Sequence, residues 1–180
     1  MRIIAGERRG ARLVAPAGRE TRPTGDRARE ALFAMLGDVA GLRVLDAFAG
    51  SGALGLEALS RGAAHATFWE TSAAALRAVR TNVAALGYDE RSTVGRADAV
   101  RRMASEAAHG AAYDLILLDP PYRMLAALQP AFSLHLTALL VPDGLAVVEG
   151  PADSQPIELG LAVDTSRRYG DERLTIYRNG

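Results

Sequence analysis

Four residues that could hold a planar amino group, Asp119-Pro120-Pro121-Tyr122, directly follow the apolar run Leu115 to Leu118. Such a run is typical of a strand buried on both faces, and two prolines cannot extend a central strand. We therefore expect a stiff loop at the carboxyl end of this strand, where open α/β sheets bind their ligands. The Asp119 carboxylate and the Pro120 carbonyl would each accept one N–H bond from an exocyclic amine, and the Tyr122 ring would stack on a base. The alternative is a loop that only closes the strand.

A glycine-rich segment, Gly50-Ser51-Gly52-Ala53-Leu54-Gly55, matches the pattern G-x-G-x-x-G, and Glu70 follows Gly50 by 20 residues. Alone, this spacing fits a dinucleotide-binding fingerprint. Asp46, however, lies four residues before Gly50, where its carboxylate would repel a pyrophosphate. The same carboxylate would attract the ammonium and sulfonium groups of S-adenosylmethionine, which carries no phosphate. We therefore expect S-adenosylmethionine as the cofactor.

Two further acids are placed to bind the rest of this cofactor. Glu70, at the tip of the second predicted strand, would accept both ribose hydroxyls, and Asp98 would accept from the adenine amino group. The alternatives are that Asp98 is only a helix N-cap and that the glycines only form a helix-entry turn. The residues expected to bind the cofactor are Thr24, Asp46, Phe48, Ala49, Gly50, Ser51, Gly52, Glu70, Thr71, Asp98, Ala99 and Asp119.

The composition limits the class of protein. A chain of 180 residues is long enough for one domain with a substantial core. It has no cysteine, which excludes disulfides and Cys-ligated zinc, and its three histidines follow no metal-ligand spacing, so we expect no metal. No apolar run approaches the length of a membrane span, and the N-terminus does not resemble a signal peptide. We expect a cytoplasmic protein, and a monomer because no stretch forms a surplus apolar helix.

Basic residues concentrate at the N-terminus of a chain whose formal net charge is zero. Residues 1–29 hold eight arginines against three acids, a local charge of +5, and all 21 basic residues of the chain are arginines. Arginine suits contact with phosphates and stacking on bases, although these arginines could also be merely solvated. We expect a basic hairpin extension over residues 1–20 and a catalytic domain over 21–180. Because the hairpin precedes every cofactor motif, we expect it not to affect cofactor affinity. The expected RNA contacts are Arg2, Arg8, Arg9, Arg12, Arg22 and Arg123, the last in a loop after Tyr122.

Strands and helices alternate from Gly41 onward, which predicts a doubly wound, mostly parallel sheet. A helix capped by Thr24 precedes this alternation, and Pro130 is expected to start a helix that runs to Leu140. Gly170-Asp171 is a two-residue hairpin signal, so the sheet should end in an antiparallel pair. The predicted strands are 43–48, 66–69, 93–95, 115–118, 145–149, 161–169 and 173–178.

Four motifs in this order resemble the bacterial 16S ribosomal RNA guanine-N2 methyltransferase family: residues 2–6, 22–30, 46–62 and 119–122. The resemblance implies a Rossmann-like class I fold with seven strands, the last one antiparallel. It also implies methyl transfer from S-adenosylmethionine to the N2 amine of one guanine of 16S RNA, within the small subunit or its assembly intermediate, with Asp119, Pro120, Pro121 and Tyr122 as the catalytic residues. The chain departs from the family at Gly25, where a second threonine is usual, and at Ser72, where an acid is usual.

Other activities use similar motifs. An amino-methyltransferase acting on adenine N6 or cytosine N4, in DNA or another RNA, would need the same acceptors. Methyltransferases of protein glutamine amides are similar but usually carry Asn in place of Asp119. A catalytically idle RNA-binding factor would not need to keep Asp46, Glu70 and Asp119 together.

Overall fold

The computed structural model of the protein describes residues 1–16 and 25–180. Within these residues, helices and strands alternate as the sequence predicts. The helices are α1 (Asp26–Leu36), α2 (Ala53–Ser60), α3 (Ala73–Leu86), α4 (Ala99–Ala108) and α5 (Tyr122–Leu139), with a short 3-10 helix at Asp89–Arg91; the strands are β1 (Arg43–Asp46), β2 (His65–Glu70), β3 (Ser92–Arg96), β4 (Tyr113–Leu118), β5 (Leu140–Pro151), β6 (Ala162–Tyr169) and β7 (Glu172–Arg178).

The strands form a seven-stranded sheet in the order β3-β2-β1-β4-β5-β7-β6. Strand β2 runs parallel to β1 and β3, and β4 runs parallel to β5. Strand β7 is antiparallel to both of its neighbours, β5 and β6. This confirms the predicted doubly wound sheet with an antiparallel last strand. No helix in the described part of the chain is both long enough and apolar enough to cross a membrane.

Met1–Ala97 is the first of two compact units. Helix α2 is buried along its whole length, and it packs tightly against β2. A Cβ added to Gly55 would come within 2.4 Å of Phe68 Cε1, so only glycine lets the helix approach the strand this closely. Helix α1 begins at Asp26 and has Gly25 as its N-cap without a side-chain capping bond; Thr24, the predicted cap, lies outside the described residues.

The predicted N-terminal hairpin is present as one antiparallel bridge between Arg2 and Arg12 rather than two regular strands. It lies against the carboxyl end of α2. The Glu7 amide donates to the Ser60 carbonyl at 2.8 Å, and a Cβ on Gly6 would overlap that carbonyl oxygen at 1.7 Å. Gly6, at φ 82°, therefore allows the turn of the hairpin to rest directly on helix α2.

The Glu57 carboxylate, fully buried in α2, holds this hairpin in place. It accepts the backbone N–H of Ile4 at 2.7 Å and of Ala5 at 3.0 Å. It also accepts Arg61 Nε at 2.8 Å and lies 3.7 Å from Nε of the fully buried Arg29. Two cations and two amides thus compensate one buried carboxylate, as a charge removed from water requires.

Asp98–Gly180 is the second compact unit. Its strand β4, Tyr113–Leu118, contains the predicted apolar run 115–118, and residues 142–144, just before the predicted strand 145–149, form an irregularity inside β5. The pairing of β5 with β4 jumps there from Leu140 to Leu145. Asp143 takes a positive φ of 61° at this point. Strand β5 is therefore longer than the predicted 145–149.

Helix α5 begins at Tyr122 with Pro121 as its N-cap, and Pro130 lies inside the helix. The predictions of a loop after Tyr122 and of a helix starting at Pro130 are wrong. The first amides of a helix have no partner within it, so prolines just before the helix remove nothing that it needs. Pro130 deprives the Ala126 carbonyl of its usual donor, but both residues are exposed, so water can replace that donor.

We predict that Glu57→Gln destabilises the protein by about 3–5 kcal/mol, because Arg29 would lose its buried counter-charge. The free energy of unfolding in urea measures this change. The control is Arg102→Ala, which removes an exposed arginine from an i,i+4 pair with Glu106 and should cost less than about 0.5 kcal/mol. Similar costs for the two variants would contradict the role given to Glu57.

Candidate functional site

The glycine loop between β1 and α2 is held in one conformation by its own backbone. Gly50 and Gly52 have positive φ values of 56° and 80°, which glycine adopts without strain. The Gly52 amide donates to the Ala49 carbonyl at 2.6 Å, and the Ala49 amide donates to the Trp69 carbonyl at 3.0 Å. Phe48 is half-buried, and Ala49 and Ser51 are buried. The loop is therefore tied to the end of β2.

Asp46, only 1% exposed, ends β1 beneath this loop. Its Oδ2 atom accepts the Gly55 amide at 3.1 Å in the first turn of α2. The positive end of a helix stabilises a carboxylate at this position. Asp46 therefore has a structural role in addition to the electrostatic role predicted for it.

Glu70, 8% exposed, joins the glycine loop to the end of β2. Its Oε2 atom accepts the Gly50 amide at 3.0 Å. Its Oε1 atom accepts the amides of Thr71 and Ser72 at 2.7 and 2.8 Å, and the Thr71 hydroxyl at 3.3 Å. A carboxylate has about four acceptor sites, so accepting two ribose hydroxyls requires an exchange of some of these bonds.

Asp98 begins the second unit and is the N-cap of α4. Its Oδ1 atom accepts the Arg101 amide at 3.1 Å, and the side chain is exposed. Ala99, next to it, is buried. The capping role that the sequence left open is thus present, and the contact with adenine stays a prediction. Thr24 and Arg22 lie outside the described residues.

The Asp119-Pro120-Pro121-Tyr122 segment directly follows β4 in the second unit. Asp119 is half-buried, Pro120 is buried, and the Tyr122 ring is 39% exposed. The Tyr122 hydroxyl donates to Glu149 Oε1 at 3.2 Å. This bond orients the partly exposed ring at the first turn of α5.

Glu149 and Glu172 are acids near Tyr122 that the sequence reasoning missed. They are 5% and 8% exposed. Glu149 of β5 pairs with Leu174 of β7, and Pro151 pairs with Glu172, so both carboxylates lie on the same face as diagonal neighbours. The sequence did contain a signal for Glu149. It directly follows the apolar run Leu145 to Val148, in the same way that Asp119 follows the apolar run of β4.

Burial is the first cause of a raised pKa for the Tyr122 phenol, and the charges of Glu149 and Glu172 raise that pKa further. The phenol is therefore neutral across the physiological range and acts as a hydrogen-bond donor.

Within residues 1–16 and 25–180, no group of three or more His, Cys, Asp or Glu side chains is arranged to hold a metal ion.

The four described arginines of the N-terminal hairpin are all exposed: Arg2, Arg8, Arg9 and Arg12. The Arg8 guanidinium lies 5.8 Å from the centroid of the buried Tyr88 ring, and Arg2 Nε lies 3.8 Å from Asp26 Oδ2. Arg123 is also exposed, but it lies in the first turn of α5 rather than in a loop.

We predict that Glu149→Gln lowers the pKa of Tyr122 toward the ordinary value of about 10, because a negative neighbour disfavours the phenolate. Carbon NMR of labelled tyrosine, assigned with Tyr122→Phe, measures this pKa. Tyr177 is the internal control, because burial raises its pKa to about 12 and its hydroxyl donates to the Ile157 carbonyl. An unchanged pKa of Tyr122 would contradict the contact with Glu149.

Comparison with known proteins identifies the family. A family model described as conserved hypothetical protein 95 matches residues 1–178. YlbH of Bacillus subtilis, whose name calls it a candidate rRNA methyltransferase, is 38% identical over 183 residues, which cover 99% of this chain and 98% of YlbH. Ribosomal RNA small subunit methyltransferase D of Haemophilus influenzae is 34% identical over 154 residues, which cover 85% of this chain and 80% of that protein.

Solved structures agree with this result. The structure of the Thermus thermophilus protein TTHA0928 superposes with a TM-score of 0.83 at 35% identity, covering 98% of both chains. An RNA methyltransferase of Salinibacter ruber, in complex with S-adenosyl-L-homocysteine, shares the fold at 16% identity with a TM-score of 0.67, over 87% of this chain and 93% of that one. These matches confirm the resemblance seen in the sequence: the chain belongs to the ribosomal RNA small subunit methyltransferase D family and is a methyltransferase.

Proposed function

We propose that this methyltransferase transfers a methyl group from S-adenosylmethionine to the exocyclic N2 amine of a guanine in 16S ribosomal RNA. The observation that carries the proposal is the segment after β4. There the Tyr122 ring is oriented by its bond to Glu149, and the Asp119 carboxylate and the Pro120 carbonyl would supply two acceptors. A planar base with an exocyclic amine would use such acceptors and such a ring.

The charge of the first unit suits S-adenosylmethionine better than a dinucleotide. In a dinucleotide site, the amides of the glycine loop and of the helix N-terminus bind the pyrophosphate. Here the Gly50 amide is bonded by Glu70 and the Gly55 amide by Asp46. A phosphate at this loop would meet two buried carboxylates, whereas a cationic ligand would be attracted by them. When bound, S-adenosylmethionine supplies the methyl group on its sulfonium.

The residues after β4 would orient the target amine. The lone pair of guanine N2 is delocalised into the ring, so the amine is a weak nucleophile. Acceptors at the Asp119 carboxylate and the Pro120 carbonyl would hold its two N–H bonds and favour a pyramidal nitrogen. Positioning of this kind accounts for much of the rate in reactions between two bound groups.

The Tyr122 ring would hold the base that this chemistry needs. A base must leave its stack to be methylated, at a cost of a few kcal/mol. Stacking on an aromatic ring returns about 1–3 kcal/mol. Because the phenol of Tyr122 donates to Glu149, the ring is ordered before the base arrives and less entropy is lost on binding.

RNA binding is assigned to the basic hairpin. Its arginines are exposed on a segment that Glu57 and Ser60 hold rigidly against α2. Exposed guanidinium groups on a rigid support suit phosphate contacts, because the backbone that carries them is already ordered before RNA binds. The expected substrate is the small ribosomal subunit or its assembly intermediate.

We predict that Asp119→Ala lowers the methyl-transfer rate roughly 10²-fold or more through lost positioning. Asp119→Asn should keep part of the activity, because its carbonyl still accepts a hydrogen bond. Single-turnover transfer of labelled methyl groups to undermethylated small subunits measures the rate. Asp153→Ala, at a side chain that is 88% exposed, is the control and should act normally. A normal rate for Asp119→Ala would refute the mechanism.

We predict that changing Arg8, Arg9 and Arg12 together to alanine flattens the slope of log affinity for the particle against log salt by roughly two to three, since each lost phosphate contact contributes about 0.7–0.9. The matched control changes Arg101, Arg102 and Arg167, three exposed arginines of the second unit, with the same loss of charge. If both triple variants flatten the slope equally, the hairpin has no special part in RNA binding.

A further inference from the structure

A single buried side chain connects the basic hairpin segment to the glycine loop. Asn82 of α3 is 1% exposed. Its Nδ2 atom donates to the Val14 carbonyl at 3.0 Å and to the Ser51 carbonyl at 2.9 Å, and its Oδ1 atom accepts the Val14 amide at 2.8 Å. Both amide protons and the oxygen are used, and all three residues lie in the first unit.

Val14 is well placed to transmit a change in the hairpin. Its neighbour Leu13 is buried and donates its amide to the Met1 carbonyl at 3.2 Å. The Met1 sulfur in turn accepts the Ser51 hydroxyl at 3.6 Å. Met1, at one end of the hairpin, thus contacts Ser51 directly, and Val14, at the other end, reaches Ser51 through Asn82. Ser51 lies in the middle of the loop that the proposed cofactor approaches.

A second path runs through α2. This helix begins at the glycine loop, with Gly52 as its N-cap. Its other end carries Glu57 and Ser60, which bond the hairpin at Ile4 and Arg8. A hairpin that shifts on its support would therefore disturb both the glycine loop and the helix that follows it.

We infer that Asn82 is a positioning residue that couples the hairpin to the cofactor site, so that RNA and cofactor each raise the affinity for the other. The inference rests on the proposed function. Coupling of this kind is reciprocal, because both ligands stabilise the same arrangement of the protein. The inferred coupling through Asn82 replaces the expectation, drawn from the sequence, that the hairpin has no effect on cofactor affinity.

The test measures the affinity of the full chain for S-adenosylhomocysteine by equilibrium dialysis, with and without undermethylated small ribosomal subunits. The wild-type chain should bind at least about five-fold more tightly when the particle is present, the lower end of typical coupling. Val14→Pro removes the amide that donates to Asn82 and should abolish most of this gain. Val14→Ala, at a side chain that is 51% exposed, keeps the amide and should retain the gain.

Asn82→Ala, like Val14→Pro, should abolish most of the gain in S-adenosylhomocysteine affinity. The salt dependence of particle binding should stay normal in both variants, because the arginines of the hairpin are intact. The inference is overturned if the wild-type chain binds S-adenosylhomocysteine equally with and without a particle that it methylates. It is also overturned if Val14→Pro keeps the full gain. A wild-type chain that binds no S-adenosylhomocysteine would instead refute the proposed function.

Discussion

Two amides at the glycine loop and the helix that follows it, those of Gly50 and Gly55, donate to carboxylates of the protein itself, and this constraint underlies the proposed choice of ligand. Glu70 bonds Gly50 and Asp46 bonds Gly55, so two amides suited to a phosphate are already taken. The same bonds tie β1, β2 and the start of α2 together. A loop with the sequence of a dinucleotide site would thus favour a cationic ligand, as we propose, because two acids stand at the ends of the strands beside it.

Buried charge also organises the N-terminal hairpin. Glu57 and Arg29 are both fully buried, and in some proteins such pairs fix one arrangement among several that packing alone would allow. Here the pair fixes backbone amides of the hairpin against α2. The basic segment is therefore part of the first compact unit rather than a loose appendage, which is what makes coupling through Asn82 physically possible.

Sequence patterns predicted most of the fold because they reflect local physics. The alternation of apolar strands and amphipathic helices predicted the sheet, and Gly170-Asp171 predicted the turn before β7. The start of α5 was missed because prolines were treated as helix breakers, although they are tolerated just before a helix. Glu149 and Asn82 were missed because their partners, Tyr122 and Val14, are 27 and 68 residues away in the chain. No local pattern encodes such contacts.

The most direct test of the central claim is to identify the methylated nucleoside. The purified chain would be incubated with labelled S-adenosylmethionine and, side by side, undermethylated small subunits, naked 16S RNA and DNA, and each product would be digested and analysed. We predict label in N2-methylguanosine from the small-subunit RNA and none from DNA. Label in N6-methyladenine or N4-methylcytosine, or label confined to DNA, would contradict the account.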